Sequence, residues 1–582
     1  MEIILHKPIQ FFFPARRPQF RMSIYLFVFV SLLLISLSLQ AQQTEIPRTV
    51  EPGLLERQFE KTPEPELLPP EILLQQQPQE GGREEGVHFQ LTDILIEGAT
   101  VYTREQLLPL YKDYLNKEVT LRDAYTIANA ITVKYRNDGY ILSQAVVPAQ
   151  HIRDGILHLR VFEGFINEVR IEGKYSTNRG KLLDRIAEKI RASRPLQIKE
   201  LERYILLAGD LPGVSARASL IPSKTVEDAS DLVLLIEEDK FDGFGSIDNR
   251  SSKYIGPYQT QIGINLNSLL GMHERTSFRV VAASQFSELK FYEFEQEQIL
   301  NSELTKLAFL GRYTTSKPGK ELRDIEFESE SASADISIHH PFIRSRAKNL
   351  SGSLTLSYRN SDTHILGVQF SQDHIRSARA GFSYDFVDRW FGVNLFDMEV
   401  SKGIQILGAS NSFAPELSRS DGETDYAKVT VDVSRLQRLA PGFSLLIDVT
   451  GQYTRDGLVA SEEFSIGGAR FGRAFDPSQV SGDRGIAARA ELRHYFNWRN
   501  VLLRQLQFYA FYDYGAVWND TVSSPSFSKH EALSSGGLGL RSNLYNWFTA
   551  NAEVAFPVID DTNVESSNRG DIRGLFEIGI HF

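Results

Sequence analysis

The sequence predicts a transmembrane β-barrel of about 16 antiparallel strands, preceded by two small α+β domains. Three observations lead to this fold class. From residue 241 onward the chain consists of long segments in which apolar and polar residues alternate. Residues 574–582 alternate strictly and end on an aromatic residue, Phe582. Before the barrel, residues 88–238 contain the same order of strands and helices twice.

The composition narrows the class of protein further. A chain of 582 residues is long enough for several domains, and a hydrophobic content of 42% is too low for a polytopic helical membrane protein. This composition is compatible with a transmembrane barrel, because only alternate residues of its strands face lipid. The absence of cysteine from the sequence excludes disulfides, thiolate metal sites and cysteine nucleophiles. The net charge of -11 argues against nucleic acid as the main partner.

Residues 1–41 are predicted to be a secretory signal peptide. Three arginines within residues 16–21 precede an apolar segment over residues 24–39, and Ala41 offers a small residue for cleavage. A single membrane anchor is the alternative, but the apolar segment has only about 16 residues and no basic stop-transfer flank. We therefore expect export to the periplasm or the outer membrane.

Residues 42–87 are rich in Gln, Glu and Pro and are predicted to form a linker. Within this linker, Pro52 and Gly53 precede a run from Leu54 to Phe59 that suits the start of a short helix. By themselves these residues favour a transient helix in disordered sequence.

Two units, residues 88–164 and 165–240, each show the order β-α-α-β-β over about 75 residues, a size that can fold alone. The elements predicted for the first unit are strand 89–96, helices 104–111 and 121–136, and strands 145–147 and 156–161. Those predicted for the second are strand 166–171, helices 181–190 and 198–207, and strands 215–221 and 232–236. In the helix 121–136, apolar residues recur at helical spacing, namely Ala124, Ile127, Ile131 and Tyr135.

Residues 241–582 are predicted to form the barrel itself. Segments such as 353–358 and 427–434 alternate cleanly, as expected for tilted membrane-spanning strands. A soluble propeller is the alternative, but its strands are shorter and repeat with a blade motif that this sequence lacks. On the last strand we expect Phe582 to face lipid and to act as a signal for barrel assembly, although a strand of a soluble sandwich would explain this segment equally well on its own.

The strand predicted over residues 506–518 determines which of its side chains face the lumen. Its apolar face includes Phe508 and Tyr512, and an aspartate cannot face lipid without a large cost. Phe511 and Asp513 are therefore expected to face inward, with Gly515 leaving room beside them. On the strand before it, the same alternation turns three charged residues inward, namely Arg489, Glu491 and Arg493.

Four short stretches occur along the chain in an order that is specific when taken together. They are Tyr135-Arg136-Asn137-Asp138-Gly139-Tyr140 followed by Pro148-Ala149-Gln150, then residues 248–256, then residues 464–468 with Arg473-Ala474-Phe475 and Gly482-Asp483-Arg484-Gly485, and last Phe511-Tyr512-Asp513-Tyr514-Gly515. With these stretches, nearly all of the chain after the signal resembles the outer-membrane transporters of two-partner secretion, the TpsB family of haemolysin and filamentous-haemagglutinin exporters.

The resemblance implies a role for each of these regions. Residues 88–164 and 165–240 would be POTRA (polypeptide-transport-associated) domains, and residues 241–582 would be a barrel with an inward loop over 456–485. Substrate binding by the first POTRA domain would involve Tyr135, Gly139, Tyr140, Pro148 and Gln150. The segment near Leu54 to Phe59 matches the place where the family carries a helix that occupies the resting lumen.

In the family, an arginine of the inward loop meets an aspartate on a later strand, which here implies Arg473 and Asp513. The remaining residues implied for this site are Phe475, Gly482 and Asp483 in the loop and Phe511, Arg489 and Glu491 on the lumen wall. The usual tetrad is Val-Arg-Gly-Phe or Val-Arg-Gly-Tyr, whereas this chain has Gly472-Arg473-Ala474-Phe475. Because alanine enters positive φ less easily than glycine, the conformation of the loop tip stays open at this point.

The function implied by the resemblance is secretion of an unfolded exoprotein through the barrel, with the POTRA domains in the periplasm. The sequence has neither a phosphate-binding loop nor a nucleophile elbow, which predicts transport without nucleotide hydrolysis and no enzymatic activity. The expected partners are a large secreted β-helical exoprotein, outer-membrane lipid and the barrel-assembly machinery, with no nucleic acid, cofactor or metal. A barrel-assembly factor of the same superfamily and a passive porin are the alternatives. Assembly factors usually carry more or different POTRA domains, and a porin would not explain the two modules.

Overall fold

The computed structural model describes residues 47–60, 64–65, 87–175, 180–226, 229–496, 503–519, 529–545, 547–561 and 571–582. The predicted signal peptide, residues 1–41, and most of the predicted linker lie outside the described residues. Among the described residues, no helix is both long and apolar enough to cross a membrane. The first described segment forms a 3₁₀ turn, Arg48–Val50, and helix α1, Pro52–Gln58.

The first module is built on a three-stranded sheet of order β2-β5-β4 and a two-stranded sheet of β1 and β3. Its elements are β1 (His88–Leu91), β2 (Asp93–Glu97), α2 (Arg104–Leu107), β3 (Lys117–Thr120), α3 (Leu121–Asn137), β4 (Gln144–Val146) and β5 (Ile156–Phe162). Thr120 caps α3 by accepting a hydrogen bond from the backbone N–H of Asp123 at 3.2 Å. The apolar face of α3 packs into the module's core, with Ile127, Ile131 and Tyr135 buried.

Two elements of the first module differ from the sequence-based expectation. The single strand over residues 89–96 is wrong, because β1 pairs antiparallel with β3 while β2 pairs in parallel with β5. The break falls at Thr92, whose N–H donates to Gly155 O at 2.8 Å. The helix over residues 104–111 stops as an α-helix at Leu107 and continues as a 3₁₀ turn, since Pro109 lacks the N–H of a regular turn.

The second module repeats the architecture with a sheet of order β6-β8-β7. Its elements are β6 (Phe165–Lys174), α4 (Gly180–Ala192), α5 (Ile198–Gly209), β7 (Val214–Pro222) and β8 (Ala229–Glu238). Leucines and isoleucines from both helices and all three strands share one core, for example Ile166, Ile186 and Leu234. Only Glu163 and Gly164 separate β5 from β6, so the two modules are closely joined.

A closed barrel of 16 antiparallel strands follows and confirms the predicted fold class. The first eleven strands are β9 (Phe241–Asp248), β10 (Gln259–Asn267), β11 (Glu274–Ala283), β12 (Lys290–Ile299), β13 (Lys306–Ser316), β14 (Glu328–Arg344), β15 (Lys348–Ile365), β16 (Val368–Val387), β17 (Val393–Gly403), β18 (Ala427–Ala440) and β19 (Phe443–Thr454). A separate hairpin, β20 (Phe464–Ile466) and β21 (Val480–Gly482), comes next. The last five barrel strands are β22 (Arg484–Phe496), β23 (Leu503–Trp518), β24 (His530–Leu544), β25 (Phe548–Asp561) and β26 (Arg573–His581).

Alternation along the strands separates a lipid-facing surface from a lumen. On β15, Leu354 and Leu356 are 66% and 63% exposed, although both are large apolar residues. Such exposure would be costly in water and is expected on the outer face of a membrane barrel.

Strands β26 and β9 close the barrel at its seam. They pair antiparallel from Glu577 opposite Asp248 to His581 opposite Phe244. Phe582 continues this pairing, since its N–H donates to Gly243 O at 3.0 Å and its C=O accepts from Gly243 N–H at 2.9 Å. A side chain at Gly243 would collide with the Phe582 ring, whose Cζ would lie 2.7 Å from the added Cβ.

The second module is bonded to the end of the barrel. Arg344, at the end of β14, binds the carboxylate of Asp210 with two hydrogen bonds of 2.6 and 3.0 Å. Arg203 of α5 donates to Glu303 in the turn after β12 at 2.9 Å. Leu304 from the same turn packs into the core of the second module.

Candidate functional site

The segment between β19 and β22 folds into the barrel lumen and is referred to here as the inward loop, residues 455–483. It contains a 3₁₀ turn, Ala460–Glu462, and the β20–β21 hairpin, both of which are packed inside the barrel. Two glycines of the barrel wall leave room for the loop to pack closely. A Cβ at Gly485 would lie 2.0 Å from the Phe464 ring, and a Cβ at Gly515 would lie 2.8 Å from Ile466. The loop is therefore held against the wall formed by β22 and β23.

At the tip of the loop, Arg473 makes a buried ion pair with Asp513 of β23. The guanidinium donates from Nε to Oδ2 at 2.9 Å and from Nη2 to Oδ1 at 2.8 Å. Its Nη1 donates to Glu491 Oε1 at 2.8 Å, and its plane lies 3.5 Å from the centre of the Phe511 ring. The side chains of Arg473 and Asp513 are 2% and 0% exposed. Removing one partner of such a pair costs about 3–5 kcal/mol because the other stays buried without compensation.

The tip conformation depends on Gly472 rather than on position 474. Gly472 adopts φ +88°, whereas Ala474 is not among the positive-φ residues. A Cβ at Gly472 would also lie 2.5 Å from Leu533. The sequence left open how the loop tip bends without a glycine at position 474. In the structure Gly472, which precedes Arg473, takes the left-handed conformation instead.

The other loop residues named from the sequence have structural partners. Phe475 is buried in an apolar cluster with Phe471, Phe511 and Leu533. Gly482 lies in β21 opposite Phe464. These contacts anchor the loop to the wall through apolar packing as well as through charge.

Asp483 joins the inward loop to the loop between β17 and β18, residues 404–426, which we call the outer loop. Its carboxylate accepts from Arg419 Nη1 at 2.7 Å and from the N–H of Leu458 at 2.7 Å. The same Arg419 nitrogen donates to Glu463 at 2.6 Å. The outer loop therefore folds over the end of the lumen that is opposite the modules and is bonded to the inward loop.

Helix α1 also lies inside the lumen. Leu54 and Leu55 are fully buried, and Gly53 packs so closely on Ser461 of the inward loop that a Cβ would lie 2.3 Å from the serine Cβ. Arg57 donates to the backbone oxygen of Glu463 at 2.5 Å. We refer to residues 47–65 as the plug segment, although residues 61–63 lie outside the described part.

The plug segment continues past the helix along the wall. Arg48 donates to Ser481 Oγ at 2.7 Å, near the start of the segment. At its other end, Glu64 accepts from Arg489 and lies 3.3 Å from Arg493. The plug therefore contacts both the inward loop and β22.

Glu491 is the central acidic residue on the lumen wall. Besides Arg473, it accepts from Arg493 Nε at 2.8 Å and from Arg541 Nη1 at 3.0 Å. Arg489, two residues before Glu491 on the same strand, lies 3.2 Å from Asp448. The inward-facing charges of β22 thus form one connected network with the loop tip and the plug.

Sequence reasoning missed Glu462, Glu463 and Arg419. Glu462 lies within 4 Å of three barrel cations, Arg359, Arg379 and Lys428. The sequence contained part of the information needed to find them. Glu462 and Glu463 lie in a loop predicted to enter the lumen, and buried acidic residues require basic partners. Nothing in the spacing of residues indicated that Arg419, in a different loop, would be one of them.

In the first module, Tyr135 is fully buried, so the prediction that it contacts a substrate is wrong. Its hydroxyl donates to Glu163 at 2.6 Å, and Glu163 also accepts from the N–H groups of Thr100 at 2.7 Å and Val101 at 2.9 Å. Burial and the bond to Glu163 raise the pKa of Tyr135. Burial acts to raise the pKa of Glu163, but the hydrogen bonds from Thr100 and Tyr135 outweigh it and the pKa is lowered.

Gly139 is also unavailable to a ligand, which corrects its predicted role. It is buried where the modules meet, and its C=O accepts from the N–H of Ile198 at 2.9 Å. Gly139 therefore orients one module against the other.

Gln150 completes the edge of strand β5. Its Nε2 donates to His158 O at 2.8 Å, and the N–H of His158 donates to its Oε1 at 2.8 Å. Pro148, which has no N–H, stands where β4 would otherwise continue this ladder. Gln150 thus takes the place of a strand residue beside His158. Tyr140, Pro148 and Gln150 are all partly exposed.

Within the described part of the chain, no group of three or more His, Asp or Glu side chains is placed to hold a metal ion.

Comparisons with known proteins agree with this architecture. Residues 228–542 match the family described as haemolysin secretion/activation protein ShlB/FhaC/HecB, and residues 89–164 match the POTRA domain, ShlB-type. The heme/hemopexin transporter protein HuxB of Haemophilus influenzae (strain 86-028NP) is 25% identical over 533 residues, which cover 89% of this chain and 92% of HuxB. The outer membrane transporter CdiB of Dickeya dadantii (strain 3937) is 21% identical over 490 residues, which cover 81% and 84% of the two chains.

Two solved structures share the fold. CdiB from Escherichia coli superposes with a TM-score of 0.71 at 19% identity, over 87% of this chain and 93% of that one. CdiB from Acinetobacter baumannii superposes with a TM-score of 0.60 at 18% identity, over 91% and 96%. Because the family match spans more than half of the sequence, this chain belongs to the haemolysin secretion/activation family, the outer-membrane transporters of two-partner secretion, whose POTRA domains lie in the periplasm.

Proposed function

We propose that this transporter captures an unfolded exoprotein in the periplasm through its POTRA domains and passes it through the barrel lumen to the cell exterior. The observation that carries the proposal is the occupied lumen. The plug segment and the inward loop both lie inside a barrel whose periplasmic end carries two folded modules. A passive pore has no need of a removable plug held by ion pairs such as Arg57 with Glu462, at 3.5 Å.

The cargo is proposed to be a large secreted protein. One relative is named a heme/hemopexin transporter and another, in Proteus mirabilis, a hemolysin transporter. A cargo that folds into a β-helix outside the cell would make passage directional, because each folded rung opposes return. The transport step then needs no nucleotide.

Capture is proposed on the accessible surface of the first POTRA domain around Tyr140 and Pro148. Both residues are partly exposed, whereas Tyr135, Gly139 and Gln150 are engaged within the protein. An extended chain bound there would be held close to the entrance of the lumen. Tyr135, Gly139 and Gln150 then support the site by holding its shape.

The proposal is tested by co-expressing the transporter with a candidate large exoprotein chosen from the same genome. Cells with the complete transporter should release the exoprotein into the medium, and cells with a variant lacking residues 88–240 should retain it in the periplasm. The heat-modifiable barrel is measured in the outer membrane of both as a control for assembly. Equal release from both strains would contradict capture by the POTRA domains.

A further inference from the structure

Three glutamates of the plug segment, Glu56, Glu60 and Glu64, are spaced four residues apart, and each of them contacts an arginine of the barrel wall. Glu56 Oε2 lies 3.4 Å from Arg359 Nη2 on β15. Glu60 lies 3.5 Å from Arg312 on β13. Glu64 pairs with Arg489 and Arg493 on β22. The plug thus presents three carboxylates to basic residues on two parts of the lumen wall, β13 with β15 on one part and β22 on the other. We call these residues the arginine track: Arg312, Arg359, Arg489 and Arg493.

Each arginine of the track has a second acidic partner that does not belong to the plug. The wall supplies Glu293 for Arg312 at 3.1 Å, Asp448 for Arg489 at 3.2 Å and Glu491 for Arg493 at 2.7 Å. The inward loop supplies Glu462 for Arg359 at 3.8 Å. These contacts do not involve the plug, so they do not depend on its presence. Because a guanidinium has five N–H donors, each can still receive a further carboxylate.

Two of the four track arginines are open to a cavity. Arg312 and Arg359 line a cavity of about 930 Å³ beside the plug, and Glu60 also faces it. The Nη1 of Arg359 is buried and makes no hydrogen bond within the described residues. An oxygen of Glu462 lies 3.8 Å from this nitrogen, so a carboxylate that reached Arg359 could form the hydrogen bond that Nη1 does not make in the resting structure.

We propose that the arginine track is a binding surface for the carboxylates of an extended polypeptide in transit, and that Glu56, Glu60 and Glu64 occupy it in the resting state. Because four strands separate β15 from β22, one extended chain inside the lumen can contact all four arginines, whereas a small anion cannot. An acidic segment of the cargo then competes with the plug for the same arginines. This proposal rests on the proposed function, since it needs a cargo inside the lumen.

A first experiment tests the plug side of this arrangement in planar lipid bilayers. The full chain with Glu56→Gln, Glu60→Gln and Glu64→Gln should open at least several-fold more often than the unchanged protein, because three ion pairs are replaced by neutral contacts. An unchanged opening frequency would overturn the claim that these pairs hold the plug.

A second experiment tests the track itself. In a variant lacking residues 47–65, a short glutamate-rich peptide should block the current at a concentration about tenfold lower than a glutamine-rich peptide of the same length, a difference of about 1.4 kcal/mol. Adding Arg312→Gln, Arg489→Gln and Arg493→Gln should abolish this difference. The matched control is Arg250→Gln, Arg279→Gln and Arg470→Gln, three cavity arginines that pair with Glu553, Glu293 and Asp432.

Equal block by the two peptides, or a difference that survives the track substitutions, would overturn the proposal. If the control variant also lost the difference between the peptides, that difference would come from the general charge of the lumen. This outcome would overturn the proposal too. Neither measurement involves secretion. A negative result in the peptide experiment therefore does not contradict the proposed export function. If the export experiment is negative, the peptide experiment can still be interpreted.

Discussion

The guanidinium of Arg473 and the carboxylate of Asp513 form a bidentate pair inside the barrel, and Glu491 accepts the remaining Nη1 donor of the same arginine. The same Nη1 lies 3.5 Å from Glu553, so one cation serves three buried acids. The two partners are not equivalent, because Asp513 depends on Arg473 for its ion pair whereas Arg473 keeps Glu491 if Asp513 is lost. This asymmetry determines how substitutions at the two positions should differ.

We expect Arg473→Ala to reduce secretion more than Asp513→Ala. The first leaves Asp513 buried without a cation, at a cost of about 3–5 kcal/mol, while the second leaves Arg473 partly compensated. The double variant should be no worse than Arg473→Ala alone, which gives a large interaction energy in a double-mutant cycle. Secreted exoprotein and heat-modifiable barrel are measured together, with Arg435→Ala on β18 as the control. Strictly additive losses would show that the residues act independently.

Arg419→Ala should release the outer loop. This side chain is 2% exposed and joins the outer loop to Glu463 and Asp483 of the inward loop. Without it, two buried carboxylates lose a cation, so residues 404–426 should be cleaved at least several-fold faster by a protease added to intact cells. Arg455→Ala is the matched control, because Arg455 is an exposed neighbour. Equal cleavage in both variants would mean that other contacts hold the outer loop.

Phe582→Ala should lower the amount of heat-modifiable barrel in the outer membrane. The backbone bonds to Gly243 can persist, but the ring contact with Phe241, at 5.7 Å between centroids, is lost at the seam where the barrel closes. The control is Phe278→Ala, another exposed aromatic residue of the barrel, which lies away from this seam. If both variants reach the membrane equally well, the ring of Phe582 has no special role in assembly.

Stability of the first POTRA domain should fall in acid because of Glu163. The folded pKa of this carboxyl is lowered, so its contribution is complete above the unfolded pKa of about 4.3 and is lost as the pH falls through the folded pKa. Glu163→Gln should destabilise the domain by about 1–3 kcal/mol at neutral pH and remove this acid-dependent step. Hydrogen exchange at Thr100 and Val101 in the complete chain measures both effects. Glu97→Gln, at an exposed carboxyl, should change neither.

The sequence predicted the barrel and the direction of its lumen charges because the membrane allows few alternatives. An aspartate in a spanning strand must face inward, and this requirement places Asp513 and Phe511 on the lumenal face. The order of strands follows from antiparallel pairing of neighbours. The fold was therefore accessible from alternation alone.

Contacts between segments that are distant in the sequence could not be predicted from alternation. Arg419 and Asp483, or Glu64 and Arg489, are brought together only by the path of two loops and a plug through one lumen. Tyr135 is a different case. Its helical spacing with Ile127 and Ile131 already indicated burial, and the burial of all three side chains shows that this pattern outweighed the motif.

The bonds of Arg344 to Asp210 and of Arg203 to Glu303 tie the second POTRA domain to the rim of the barrel. The first domain is held to the second in turn by the bond from the N–H of Ile198 to Gly139 O and by a connection of only two residues. A series of bonded parts that is fixed to the pore at one end keeps its far end at a constant distance and direction from the pore. A segment captured on the first domain should therefore be presented to the same entrance each time.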